Sequence, residues 1–317
     1  MATNRIAVVG LGLLGRGIAA CFAGRGFQVI GVEPDPSTRD QVRSDMPGLV
    51  REVEAYTGQP SSGSFEATAD LAAIRGSSLL IESVVEDLAI KQQVLREAES
   101  YLDAHALIAT NTSAIPITLL QTHLAHPERF LGLHFAGPAH ITRFCEIIRG
   151  DQTSDAACER ATAVVRQVGK EPSVCRRDVP GFIVNRIAYA MYREAFHLLD
   201  TGVADAATID TAVRNALSLW ANICGPLRWI DISGGPALYA RAMQRVLPTL
   251  CNDTDVSATL RRLLDADARG TTSGDGIFHY EPADPQHWAR LWSDNARRSS
   301  ELLDQLFPLP EKEPSHD

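Results

Sequence analysis

Arg5-Ile-Ala-Val-Val9 runs straight into Gly10-Leu-Gly12-Leu-Leu-Gly15, and a helical pattern continues from Gly17 to Arg25. A short apolar strand feeding a G-x-G-x-x-G turn that opens a helix is the fingerprint of a pyrophosphate site in a dinucleotide-binding fold. Gly10 permits the tight strand-to-helix turn, and Gly12 lets the backbone approach the phosphates. Gly15 allows the helix to lie close on the strand, while the helix N-terminus faces the negative charge. Leu13 and Leu14 lie inside the turn and are expected to contact the same ligand. A second strand, Gln28–Val32, ends in Glu33. An acidic side chain at that spacing accepts the ribose 2′-hydroxyl and repels a 2′-phosphate, so the expected cofactor is NAD rather than NADP.

The composition narrows the class. A chain of 317 residues, 45% hydrophobic and 22% charged, is long enough for two globular domains with a buried core. The formal net charge is -9, the lysines are only Lys91, Lys170 and Lys312, and no basic run offsets the acidity. Nucleic acid is therefore not expected as a partner. No apolar run has the length of a membrane span, and the chain opens on a strand instead of a leader, so a cytoplasmic protein without membrane contact is expected. Cys21, Cys145, Cys158, Cys175, Cys224 and Cys251 are widely spaced without C-x-x-C pairs. They read as reduced core thiols, and no metal site is expected.

The first half alternates strand-like and helix-like segments. Apolar strands are expected at Ile6–Val9, Val29–Val32, Ser64–Thr68, Leu79–Ser83, Leu107–Thr110, Phe130–His134 and Phe144–Ile148, with helices at Ala89–Leu102 and Ser154–Val168. That alternation predicts an α/β domain with a doubly wound, mostly parallel sheet. Asp178-Val-Pro-Gly181 then punctuates the chain, and only helical patterns follow, over 182–200, 205–217, 236–247, 256–268 and 284–306. The reading divides the chain into a dinucleotide-binding domain at 1–178, an all-α domain at 179–308 and a polar, disordered tail at 309–317.

Dehydrogenating an alcohol requires a base for the hydroxyl proton, and histidine titrates closest to neutral pH. His105, His123, His126 and His287 lie in polar segments and read as solvated, as does the loop residue His140. His134 differs, because it ends an apolar strand, and open α/β sheets bind ligands beyond the carboxyl ends of their strands. Glu146 interrupts the apolar strand Phe144-Cys-Glu-Ile-Ile148, where a buried carboxylate needs a partner. A His134–Glu146 pair across neighbouring strands satisfies both groups, fixing the imidazole tautomer and stabilising the imidazolium. Asn111-Thr-Ser113 closes another apolar strand and is either an N-cap for the following helix or a set of site contacts. Asn185 is either a satisfied core amide or a substrate contact.

Taken in order, Gly10-Leu-Gly-Leu-Leu-Gly-Arg-Gly17, Ile81-Glu-Ser-Val-Val-Glu-Asp87 with Lys91, Asn111-Thr-Ser113, His134-Phe135, Glu146-Ile-Ile-Arg-Gly150 and Asp178-Val-Pro-Gly-Phe-Ile-Val-Asn-Arg186 resemble the signature of the 3-hydroxyacyl-CoA dehydrogenase family over nearly the whole chain. Gly274-Asp-Gly-Ile-Phe-His-Tyr280 resembles its terminal glycine-aromatic motif. The resemblance implies a Rossmann-like first domain and a helical second domain through which subunits form a homodimer. It implies that His134 is the general base, Glu146 its orienting partner, and Ser113 and Asn185 hydrogen-bonding groups at the reacting oxygen. Glu86, Lys91 and Asn111 would approach the nicotinamide half of NAD. The implied reaction interconverts a β-hydroxy and a β-keto group on an acyl thioester or related small carboxylate.

Two departures from the family pattern bear on the substrate. Members usually read His-Phe-Phe-Asn-Pro, whereas this chain reads His134-Phe-Ala-Gly137-Pro138. The segment Pro34–Glu66, where members often carry a basic helical extension, is short and holds no lysine. Ser113–Thr118, Pro138–Ile141 and Asp178–Gly181 are similar to family branches acting on pyridine-ring alcohols or aldehydes. Trp220–Pro226 with Gly234-Gly-Pro236 is similar to branches acting on sugar acids, carnitine or polyketides. A non-CoA substrate is thus one alternative, and a catalytically inactive NAD-binding structural or sensor protein is another. Trp220, Trp229 and Trp292 are expected to pack within the helical domain or its dimer interface.

Overall fold

The computed structural model describes residues 4–282 and 284–309. Apart from Leu309, the expected tail at 309–317 lies outside the described residues. The chain divides into two compact units, one reaching to Asn185 and one spanning Arg186–Pro308.

The N-terminal unit is built on one sheet. Its strands are β1 (Arg5–Val9), β2 (Gln28–Val32), β3 (Ser64–Thr68), β4 (Leu79–Glu82), β5 (Leu107–Thr110), β6 (Phe130–His134), β7 (Phe144–Ile148) and β8 (Glu171–Cys175). They lie in the order β3-β2-β1-β4-β5-β6-β7-β8, parallel throughout except where β7 turns back antiparallel to β6. The strand order reverses between β1 and β4, and the crevice beyond the carboxyl ends at such a switch point is where doubly wound sheets take ligands. β8 escapes the sequence reading because Glu171-Pro-Ser-Val-Cys175 offers no apolar run, and Pro172 is tolerated there because β8 is an edge strand.

Helices cover both faces: α1 (Leu13–Ala23), α2 (Pro36–Thr57), α3 (Leu88–Glu99), α4 (Ile117–Gln121) and α5 (Asp155–Gln167). The lysine-free stretch Pro34–Glu66 carries the 22-residue α2. Asp35 caps it by accepting from Thr38 N–H, Pro36 opens it, Gly58 ends it in the left-handed region, and Val42, Met46 and Val53 are buried on one side. Ser154 caps α5 by accepting from Ala157 N–H. One apolar cluster, including Ile6, Val8, Phe22, Leu131 and Ile147, fills one face of the sheet, and a second, including Ala7, Val9, Leu80, Ile108 and Phe130, fills the other. This alternation along β1 is what a strand buried on both faces requires.

The C-terminal unit is helical: most of α6 (Val184–Asp200), then α7 (Ala206–Ala212), α8 (Ser218–Ala221), α9 (Pro226–Ile232), α10 (Pro236–Val246), α11 (Ala258–Asp265) and α12 (Asp284–Leu306). The helix expected over 205–217 breaks at Val213–Leu217 into a π-type segment, and α9 was not anticipated. Trp220 and Trp229 stack with ring centroids 5.6 Å apart. All six cysteines are unpaired, four of them buried.

Candidate active site

β6 and β7 place His134 directly opposite Glu146 in antiparallel register, so both side chains leave the same face. His134 Nδ1 lies 2.9 Å from Glu146 Oε2, and both side chains are buried. A carboxylate can only accept, so the proton of this bond sits on Nδ1 and the neutral ring keeps its Nε2 lone pair free. The second carboxylate oxygen, Oε1, accepts from the backbone N–H groups of Ile183 and Val184, each at 3.0 Å. These amides open α6, whose N-terminal dipole favours the anion. Phe182, fully buried with φ 51, makes the turn that aims them, an uncommon conformation for a bulky residue. Its ring packs edge-on against His134 at 5.8 Å, and Phe144 does the same at 5.6 Å.

Ser113 and Asn185 meet, since Asn185 Nδ2 donates to Ser113 O at 2.9 Å. The Ser113 hydroxyl makes no hydrogen bond among the described residues and is half-buried. The triplet does not cap α4, whose N-cap is Pro116 without a side-chain bond. Instead Glu86 gathers it: Oε1 accepts from Thr112 Oγ1, Ser113 N–H and Ala114 N–H. Burial works to raise the Glu86 pKa, but the Thr112 hydroxyl, the Lys91 ammonium and the Ser113 amide together hold it below the usual carboxylate range. Asn111 is oriented from both ends, accepting from Phe135 N–H at 2.8 Å and donating to Ser83 Oγ.

The glycine turn has the geometry of a phosphate cradle. A Cβ on Gly15 would lie 1.9 Å from Gly10 O, and Gly10 has φ +89 with Ser83 O in the way, so both are demanded by the protein itself. Gly12 is different, because a Cβ there would meet nothing within 4 Å, and α1 begins at Gly12 without a capping side chain. Its first N–H groups are open to an anion, as the pyrophosphate of NAD requires. Glu33 Oε2 accepts from Leu11 N–H at 3.0 Å and Oε1 from Asp35 N–H, which fixes the carboxylate beside the turn. Leu13 is exposed and Leu14 half-buried.

His140 departs from expectation, being buried and held by Glu52 Oε2 of α2 at 2.9 Å. Burial pulls its pKa below the ordinary histidine value despite that partner. Glu82 was missed. Fully buried at the end of β4, it accepts from Lys91 Nζ at 2.8 Å and Thr110 Oγ1 at 2.6 Å, and Lys91 lies 3.3 Å from Glu86 on its other side. The signal that exposed Glu146, a carboxylate inside an apolar strand, also stood in Leu79-Leu-Ile-Glu82. Among the described residues no cluster suited to a metal ion occurs.

The family model for the 3-hydroxyacyl-CoA dehydrogenase NAD binding domain matches residues 5–179, and that for the C-terminal domain of the same family matches 181–280. The chain is 34% identical to the 5-formyl-3-hydroxy-2-methylpyridine 4-carboxylate 5-dehydrogenase of Mesorhizobium japonicum, over 93% of this chain and 96% of that one. It is 31% identical to a probable 3-hydroxybutyryl-CoA dehydrogenase of Deinococcus radiodurans, over 87% of this chain and all of the relative. A solved structure of a 5-formyl-3-hydroxy-2-methylpyridine 4-carboxylic acid 5-dehydrogenase, an NAD+-dependent dismutase, superimposes with a TM-score of 0.88 at 32% identity, covering 96% of this chain and 98% of that one. The chain belongs to the 3-hydroxyacyl-CoA dehydrogenase family and is an NAD-dependent dehydrogenase of that type.

Proposed function

We propose that the enzyme moves a hydride between NAD and a compact ring carboxylate of the pyridine-carboxylate kind, bearing an alcohol or aldehyde, and that the substrate carries no CoA. The observation behind this is Gly137. It stands where family members present an asparagine, and a Cβ there would meet only Leu14 Cδ2, at 3.6 Å, so the loop after His134 leaves room beside the cofactor helix. A missing amide removes a hydrogen bond of about 0.5–1.5 kcal/mol and admits a bulkier group close to the reacting carbon. Two of the three arginines of α2 also favour a substrate without CoA, while the exposed Arg51 side chain makes no hydrogen bond among the described residues. Arg39 already donates to Glu33 O and Pro34 O, and Arg43 to Asp40 and Ala67 O, so neither is free to meet a nucleotide phosphate in this arrangement.

In this reading His134 Nε2 takes the proton from the alcohol or aldehyde hydrate while Glu146 and the α6 amides stabilise the imidazolium. The Ser113 hydroxyl and the second Asn185 amide hydrogen bind the reacting oxygen. Bound NAD+ supplies the hydride acceptor, with Gly10, Gly12, Leu13, Leu14, Gly15 and Glu33 at its adenosine and pyrophosphate and Glu86, Lys91 and Asn111 at its nicotinamide half. The exposed apolar faces of the C-terminal unit support a homodimer formed through it, and unpaired thiols fit a cytoplasmic enzyme.

The test follows NADH absorbance with pyridine-ring aldehyde and alcohol carboxylates beside 3-hydroxybutyryl-CoA. Faster turnover of the ring compounds is expected, and preference for the thioester would reassign the substrate class. His134→Ala lowers turnover ~10²–10⁴-fold with NADH affinity kept.

A further inference from the structure

Lys170 precedes β8 and is fully buried, yet it has no carboxylate partner among the described residues. Its ammonium donates instead to Ala139 O and Thr142 O, and it sits 5.7 Å from the centre of the Phe135 ring. All three residues belong to the β6–β7 connection, the loop that joins His134 to the strand of Glu146. A fully buried lysine, set among two carbonyls, one aromatic face and the Cys21 thiol with its pKa lowered by burial, is a costly way to satisfy two backbone oxygens, which a hydroxyl or amide serves without a titratable group. Something beyond local hydrogen bonding has to justify it.

The loop's place in the sheet supplies the reason. Further ties are Thr142 Oγ1 to Ala136 O at 3.2 Å and Arg143 O to Glu171 N–H at 2.8 Å. Lys170 is the tie that reaches the loop from inside the core, and β8 itself pairs with β7, setting Ser173 against Glu146. Side chains alternate faces along a strand, so sliding β6 past β7 by one residue would put His134 and Glu146 on opposite faces. A connection anchored at positions 139 and 142 to the residue that leads into β8, on the far side of β7, resists that slide. We propose that Lys170 is a positioning residue that locks the register of the His134–Glu146 pair. The proposal rests on the reading of His134 as the base.

The experiment compares Lys170→Met, Lys170→Gln and a core control, Val165→Ala, well below their melting temperatures, in the dimeric or monomeric state the protein adopts. Lys170→Met is expected to lower kcat ~10²-fold, the scale of a catalytic group displaced by about 1 Å, with the KM for NAD and NADH affinity unchanged. Val165→Ala, which opens a cavity in the buried cluster that also holds Phe135 and Ala139, is expected to keep its kcat. A Lys170→Met enzyme that melts earlier but turns over normally would overturn the proposal. Should Lys170→Met not fold, Lys170→Gln decides: its shorter, uncharged amide keeps a donor but cannot span both Ala139 O and Thr142 O, so it is expected to lower kcat less but with the same split from KM, and an unchanged kcat overturns the idea. His134→Ala run alongside separates the two layers, since normal turnover there removes the base reading itself.

Discussion

The two units hide their apolar side chains very differently. Every buried hydrophobic residue of the described chain except Ala296 lies in the N-terminal unit, on the two faces of the sheet. In the C-terminal unit Leu219 is 72% exposed, Leu227 80% and Leu264 75%, and helix after helix shows an apolar side to solvent. Hydrophobic burial is the main term that offsets the chain entropy lost on folding, and a helical unit of this size without a core of its own lacks it. One unit folds around its own sheet and holds all the candidate chemistry, while the other leaves apolar helix faces uncovered in the single chain. The proposed homodimer would bury them.

The largest effect is expected where this contrast is attacked directly. On a monomer's surface Leu219→Asp with Leu227→Asp would change stability by only about 0.5 kcal/mol each. Across a subunit interface the same pair buries two unpaired carboxylates, and the dimer should dissociate with a clear loss in melting temperature. Sedimentation and thermal unfolding of the double variant check this, and unchanged mass and melting would mean that these leucines face only water.

A smaller effect sharpens the account of the N-terminal unit by separating what its packing needs from what its ligand needs. Gly15→Ala places a methyl 1.9 Å from Gly10 O, so it should destabilise the fold by about 1–3 kcal/mol, as overpacking does. Gly12→Ala meets no protein atom and should melt like the parent while binding NADH more weakly. Urea unfolding beside NADH titration reads both. A Gly12→Ala protein with full NADH affinity would remove the pyrophosphate from this turn.

The same distinction explains what was legible in the sequence. Residues whose reason is local could be read directly: the glycine turn, Glu33 at its spacing, and Glu146 and His134 as polar interruptions of apolar strands. Lys170 could not be read, because nothing in Val168-Gly-Lys-Glu171 marks a buried ammonium, and its burial is decided by two carbonyls about 30 positions earlier in the chain. His140 looked like a loop residue for the same reason, its partner Glu52 being on a helix far away in sequence. The apolar faces of the C-terminal unit read as ordinary amphipathic helices, since a helix face meant for the unit's own core and one meant for a partner carry the same pattern.

The smallest effect is a pH dependence confined to one unit. His140 is buried against α2, and its folded pKa lies below the ordinary value of 6.5. The unfolded chain therefore binds the proton more readily, so stability is complete above about pH 6.5 and declines as the pH falls from there toward the folded pKa. Replacing the ring, as in His140→Gln, removes that proton uptake and should flatten the decline, at the cost of the bond to Glu52. The molecule offers a clean readout, because Trp220, Trp229, Trp288 and Trp292 all lie in the C-terminal unit, where no histidine is buried among the described residues. Thermal loss of NADH binding should move with acid in the parent and less so in the variant, while the tryptophan emission transition should differ little between them. If both signals shifted together by the full amount, the two units would be melting as one, and the N-terminal fold could not be treated as standing apart from the helices that follow it.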